Sequence, residues 1–282
     1  MMRIKFFFLT VLCAFIVMSC DKIEGPYIVQ DNAVSTDVVF PTLDKSTVFQ
    51  KFLIEEYTGT QCTNCPEQGH RPLANLLVAY GDTLVPVCVH VGVYAVPTTN
   101  YPYDFRTEYG NKLKSDFSIG TLPCAVIHRT KYNGSYSVKS PEWNNALAAL
   151  DRTSAPAAIQ MINTFKDNKL TVNTKTTMLS QISDKLVLMV VLTEDNVVAP
   201  QLDGADRVED YRHQHVLRST LTGNDGTALT PSGVTEKDSA YVKSYLLDFA
   251  GKDWKKENCK VVAFIYNAET LEIVQVESAA IE

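Results

Sequence analysis

Glu55-Glu56-Tyr57-Thr58-Gly59-Thr60-Gln61-Cys62-Thr63-Asn64-Cys65-Pro66-Glu67 is the stretch on which the fold turns. The residues leading into it are apolar and β-prone, so 48–57 reads as a strand. Proline punctuates the other side at Pro66 and Pro72, and 66–80 reads as a helix. Between them lies a C-x-x-C pair, Cys62 and Cys65. A zinc knuckle would need a second cysteine pair at similar spacing, and the chain has none. The strand-to-helix position instead places Cys62 at a helix N-terminus, where N–H groups and the helix dipole stabilise a thiolate. A thiol pKa of about 8.5 falls to roughly 3.5–7.5 in such settings. The thiolate is the species that attacks a disulfide, and a second cysteine then resolves the mixed disulfide.

Outward from the pair, 83–93 is an apolar β run and 104–117 suits a helix. A short strand, 124–128, follows Pro123, and 141–150 suits a helix with Pro141 in its first turn. Strands alternating with helices argue for an α/β core. This order resembles the thioredoxin-like superfamily. The resemblance implies that Glu56 is a buried acid beneath the redox pair and that Pro123, in Leu122-Pro123-Cys124, is a cis-proline. A cis-proline there leaves neighbouring backbone free to pair with an extended substrate. It also implies an insertion near 95–115. The aromatics there and just before it, Tyr94, Tyr101, Tyr103, Phe105 and Tyr109, read as core, with a peptide-binding wall as the alternative. Three departures stand out: Gln61 where tryptophan is usual, Thr63-Asn64 where Gly-Pro is usual, and Cys124 where threonine is common. They leave the redox potential and the substrate open.

The N-terminus reads as an address. Arg3 and Lys5 precede an apolar run over 6–18, too short to span a membrane comfortably. Val17-Met18-Ser19-Cys20 resembles the bacterial lipobox, which makes 1–19 a signal peptide and Cys20 the lipidated residue. More than one acyl chain gives stable membrane attachment. Loss of Arg3 and Lys5 takes the formal charge from −6 to −8, and either value excludes a basic nucleic-acid footprint. Of seven cysteines, Cys13 leaves with the signal and Cys20 carries lipid. Five thiols remain in an exported, potentially oxidising compartment. Cys88, Cys124 and Cys259 read as small core residues.

A tether, 20–46, leads to the α/β domain at 47–152 and an all-β domain at 153–282. The second half offers seven candidate strands: 157–165, 169–179, 185–194, 212–221, 239–249, 259–267 and 271–281. Alternation such as Lys169-Leu170-Thr171-Val172-Asn173 supports them. Seven strands suit an immunoglobulin-like β-sandwich. Asp203, Asp206, Glu209 and Asp210 precede Tyr211-Arg212-His213-Gln214-His215. On one continuous strand His213 and His215 face the same side. Asp210, Tyr211, His213, His215 and Arg218 form the candidate binding surface. The acidic spacing matches no calcium loop, so the loop reads as solvated and no metal is assigned. No Ser/His/Asp set, nucleophile elbow or phosphate-cradling loop is present.

Taken whole, the chain resembles the 28-kDa-type outer-membrane lipoprotein family of the Bacteroidetes. The carriers are the lipobox at Cys20, Glu55-Glu56-Tyr57-Thr58-Gly59 leading into Cys62-Thr63-Asn64-Cys65, and residues 211–218. The resemblance implies a thioredoxin-like domain joined to a β-rich domain, lipid-anchored at the outer membrane on its surface or periplasmic face. Three functional readings stand. In one, Cys62 attacks, Cys65 resolves, Glu56 moves the proton and Pro123 positions a protein or peptide substrate, without any cofactor. In another, the protein is a surface adhesin or binding module and Cys62–Cys65 is a structural bond. A scaffold subunit of an outer-membrane assembly is a third.

Overall fold

The computed structural model describes residues 38–151, 154–230 and 233–282. The signal peptide, Cys20, most of the tether and residues 152–153 lie outside the described residues. Strand β1 (Phe52–Thr58) is followed by a helix that opens as a π-helical turn, Pro66–His70, and continues as α1 (Arg71–Tyr80). Then come β2 (Leu84–His90), α2 (Glu108–Asp116), β3 (Cys124–Ile127) and α3 (Trp143–Ala148). The long strands of the second half are β4 (Ala157–Lys166), β5 (Lys169–Met178) and β6 (Leu186–Glu194). Short pieces follow: β7 (Val197–Val198), β8 (Gln201–Asp203), β9 (Asp206–Val208), β10 (Arg212–His213), β11 (Val216–Thr220) and β12 (Thr227–Ala228). The chain closes with β13 (Ala240–Asp248), β14 (Cys259–Asn267) and β15 (Ile273–Ala280).

β1 is buried at every position. A strand covered on both faces loses the alternation of a half-buried one, and it takes Glu55 and Glu56 inside with it. β1 runs parallel to β2, with Glu56 opposite Cys88, and antiparallel to β3, with Glu56 opposite Ala125. The helices have local stops and starts. Thr107 caps α2 by accepting a hydrogen bond from Gly110 N–H at 2.9 Å, and α1 ends on Gly81 at φ +54°.

The architecture is mixed α/β with strands in the majority, and its halves are not built on separate sheets. One sheet runs β15-β14-β6-β11-β2-β1-β3, with β12 beside β6. β11 is the join. Val216 pairs parallel with Cys88 on one side and antiparallel with Glu194 on the other. Cys88 N–H donates to His215 O at 2.7 Å. A second layer, β13-β5-β4, covers the β6/β14/β15 end. A single core cluster joins Leu53, Tyr57, Val87 and Tyr109 to Met189, Val191, Phe264 and Val276. The α/β first half and the strand-rich second half, expected as an α/β domain followed by a β-sandwich, share one sheet. The physical reason is edge pairing: β2 alone would present unpaired N–H and C=O groups, and β11 takes them up.

A buried ion pair marks the same join. Arg129 donates to both Glu55 oxygens at 3.0 and 2.7 Å and to Tyr109 Oη at 2.8 Å. Its guanidinium lies 4.9 Å from the Phe264 ring centre.

The strand expected at 212–221 is broken. His215 takes φ +54° between β10, which pairs with β7, and β11, which joins the main sheet. His213 and His215 therefore do not share one strand face.

Candidate functional site

Cys62 and Cys65 are joined in a disulfide at the entry to the helix. The loop is held by Cys62 N–H to Gly59 O at 3.1 Å, Cys65 N–H to Cys62 O at 3.1 Å and Gln68 N–H to Asn64 O at 2.8 Å. The bond is covered: Cys62 is 4% exposed and Cys65 fully buried. The cover is the β8–β9 hairpin, turned tightly at Gly204, which takes φ +63°. Leu202 N–H donates to Thr60 O at 2.8 Å and Gly204 N–H to Thr63 O at 3.1 Å. Gln201 Nε2 reaches Gly59 O at 3.3 Å and Cys62 O at 3.5 Å. Asp203 holds Arg71 of α1 at 2.9 Å, and Glu209 is paired with Arg207. Two of the four acidic residues of that loop are thus engaged with arginines.

Glu56 points from β1 towards the helix. It is fully buried, and burial raises its carboxyl to about 8, opposed by the hydrogen bond that the Cys88 thiol donates to Oε2 at 3.2 Å. A Cβ on Gly69 would lie 2.3 Å from Glu56 Oε1 and 3.0 Å from Pro123 Cβ. Acid, helix and proline loop therefore meet around a residue with no side chain. The Leu122–Pro123 peptide bond is cis.

His70, the next residue, carries this cluster outward. Its Nε2 lies 2.9 Å from Thr58 Oγ1 and 3.6 Å from Glu56 Oε1, and its Nδ1 lies 2.6 Å from Tyr211 Oη. His213 packs on Tyr211, His90 and Phe105, with ring centres 5.0, 5.4 and 4.6 Å away. Burial keeps these imidazoles neutral. It lowers His70 to about 3, helped by His213, and His213 to about 4; His90 also falls well below its ordinary value. A cleft of about 80 Å³ opens here, lined by Glu56, His70, Cys88, Tyr211, His213 and His215 among others. Among the described residues, no three His, Cys, Asp or Glu side chains could hold a metal ion.

The candidate surface at 210–218 divides four ways. Tyr211 and His213 join the cluster beneath the disulfide loop. His215 Nδ1 instead pairs with Asp195 at 2.9 Å. Arg218 is buried between Glu194 and Asp253, at 3.2 and 2.9 Å. Asp210 stays exposed. Cys20 lies outside the described residues. The aromatics near 95–115 are mostly core: Tyr101, Phe105 and Tyr109 are buried and Tyr94 is half-exposed. Cys88, Cys124 and Cys259 are buried free thiols.

Sequence reasoning missed His70 and Gln201. Helical spacing offered a signal for the first. Gly69 follows Cys65 by four residues and so shares its helix face, and His70 adjoins it. Nothing local marked Gln201, which reaches the site from more than a hundred residues away. A second groove, of about 380 Å³, runs beside the proline loop between Val93, Tyr94, Lys114, Ile119 and Leu122. Val93 is 77% exposed at its edge.

The structure is similar to HBP35 of Porphyromonas gingivalis, with a TM-score of 0.64 and 19% identity, covering 83% of this chain and 76% of that one. A protein from Agrobacterium tumefaciens aligns with a TM-score of 0.50 and 13% identity, over 82% of this chain and 94% of that one. A domain of the outer membrane lipoprotein Omp28 from Porphyromonas gingivalis aligns over 45% of this chain and 89% of that one, at 23% identity and a TM-score of 0.32. No curated protein matches the chain. Among the described residues, no helix is long and apolar enough to cross a membrane. Residues 110–282, more than half of the chain, match the family described as Outer membrane protein Omp28, and the chain belongs to that family.

Proposed function

We propose that this outer-membrane protein exchanges thiols and disulfides with exported proteins through a thioredoxin-like substructure, held at the membrane by acyl chains on Cys20. The observation that carries the reading is the Cys62–Cys65 disulfide at a helix start, with buried Glu56 and cis-Pro123 meeting at Gly69 on the same helix. In the reduced protein the Cys62 thiolate attacks a substrate disulfide, forming a mixed disulfide and releasing one substrate thiolate. Cys65 gives its proton to Glu56 and attacks Cys62 Sγ. The bond from Cys62 to the substrate breaks and the second substrate thiolate leaves with the electron pair. The substrate gains two electrons and the protein regains its disulfide. A carboxyl near pH 8 suits a group that must both take and return a proton close to neutrality. The groove beside Pro123 offers an apolar wall and Lys114 to an extended peptide.

Burial of Cys62 under the β8–β9 hairpin favours a second reading: a surface adhesin or binding protein with a structural disulfide. The deciding measurement is the reduction potential of the pair together with turnover on a peptide disulfide. Exchange that vanishes in Cys62→Ser supports the first reading. A potential below about −300 mV without turnover supports the second.

A further inference from the structure

We propose that His70 and Tyr211 form the path by which Glu56 exchanges its proton with solvent; this rests on the exchange reading above. Glu56 is completely buried, so a proton received from Cys65 cannot pass straight to water. Its Oε2 is occupied by the Cys88 thiol, itself buried and pushed up by burial and by the neighbouring carboxyl, which makes that side a dead end. Among the described residues its Oε1 has no hydrogen-bond partner, and it faces His70 Nε2 at 3.6 Å. Such contacts are often long in the resting state and tighten during reaction. The imidazole is fixed between Thr58 Oγ1 and Tyr211 Oη. Tyr211 is half-buried at the cleft between α1 and 211–215, which has room for water.

The transfer balances without an imidazolium intermediate. The folded carboxyl holds its proton up to about pH 8, so Glu56 first gives that proton to His70 Nε2 while Nδ1–H gives one to Tyr211 Oη and Tyr211 O–H gives one to water. The carboxylate so formed takes the Cys65 proton as the Cys62–Cys65 bond forms, and Glu56 is neutral again. One proton enters and one leaves, and His70 changes tautomer. Reduction of the disulfide, which returns a proton to Cys65, runs the path backwards and restores the tautomer. A concerted route matters because imidazolium is disfavoured here. The groups facing the path are Cys88 at Glu56, His213 at His70, and Asp203 and Arg71 at Tyr211.

The test is the rate of reduction by glutathione, and of reoxidation by its disulfide, for the detergent-solubilised full-length protein between pH 6 and 9. Tyr211→Phe keeps the ring packed on His213 and removes only the hydroxyl. It is expected to slow both directions by about tenfold or more and to change the pH profile, leaving the equilibrium potential unchanged. His70→Gln should do the same, and the double variant should be no slower than His70→Gln, because both residues serve one path. Wild-type rates and pH profile in Tyr211→Phe, or additive losses in the double variant, would overturn the relay while leaving the exchange reading intact. If the wild-type protein exchanges with neither reagent, the exchange reading falls and the relay with it.

Discussion

Gly69 is where a buried acid, a cis-proline loop and a helix come into contact, and it shows how much one hydrogen in place of a methyl can matter. Gly69→Ala forces a Cβ to within 2.3 Å of Glu56 Oε1 and 3.0 Å of Pro123 Cβ. Because neither neighbour is a freely mobile chain end, overpacking here should cost about 1–3 kcal/mol, measurable by urea denaturation. Glu56 itself sets a pH dependence. Its carboxyl titrates near 4.5 when unfolded and near 8 when folded. Between these values the unfolded chain has lost a proton that the folded chain keeps. The contribution is therefore fully present below about pH 4.5 and is lost as pH rises through 8. Glu56→Gln removes this decline, so the variant should gain on wild type from pH 5 to 8.5, by an amount on the order of a few kcal/mol. A flat difference between the two proteins would show that Glu56 is ionised in the fold. The buried imidazoles act on the other side. Neutral when folded, His70 contributes above pH 6.5 and that contribution is lost as pH falls towards 3.

At the scale of elements, the β8–β9 hairpin is bonded to the disulfide loop and is the expected barrier to its reduction. Its hold on the loop consists of two backbone hydrogen bonds, the Gln201 side chain and the Asp203–Arg71 pair. Leu202→Pro removes the donor to Thr60 O, and Gln201→Ala removes the side-chain contacts to Gly59 O and Cys62 O. Each should speed reduction of Cys62–Cys65 by a small-molecule reductant, with Leu202→Pro giving the larger increase in rate. Unchanged rates in both would mean that the hairpin is not the barrier. The long elements were legible in the chain: the helix after the C-x-x-C, the proline-led strand, the alternating stretches in β5 and β15 and the apolar runs of β6 and β14 follow from periodicity and punctuation. The element read wrongly was 212–221. Its first residues, Arg212 to His215, are unusually polar for a strand, and His215 turns the chain at a positive φ. The signal for this is weak: histidine is only enriched at positive φ, whereas glycine takes it freely.

For the whole molecule, the continuous sheet makes the first half dependent on the second. A fragment ending at residue 151 would leave the β2 edge open and uncover Leu53, Val87 and Tyr109, which pack in one cluster with Val191, Phe264 and Val276. Such a fragment should be poorly soluble and lack a cooperative melting transition. A soluble, cooperatively melting fragment would show that the shared core is dispensable. The Arg129–Glu55 pair lies within the first half, and its guanidinium stacks on Phe264 of the second. Arg129→Ala leaves Glu55 buried without its partner and should destabilise the full chain by about 3–5 kcal/mol in chemical denaturation. The expected boundary near 152 marks a change in element pattern, from helices and strands to strands alone. It does not mark a break in packing.

By itself the sequence determined the C-x-x-C pair, its strand-to-helix setting and most of the strands, because each of these is written in neighbouring residues. Spacing, periodicity and proline placement act over a few residues of chain. Tertiary structure alone decided that β11 joins the sheet at β2, that the hairpin covers the disulfide, and that Tyr211 meets His70 behind Glu56. These contacts join residues separated by more than a hundred positions. They are selected by edge pairing and burial, which no local pattern encodes.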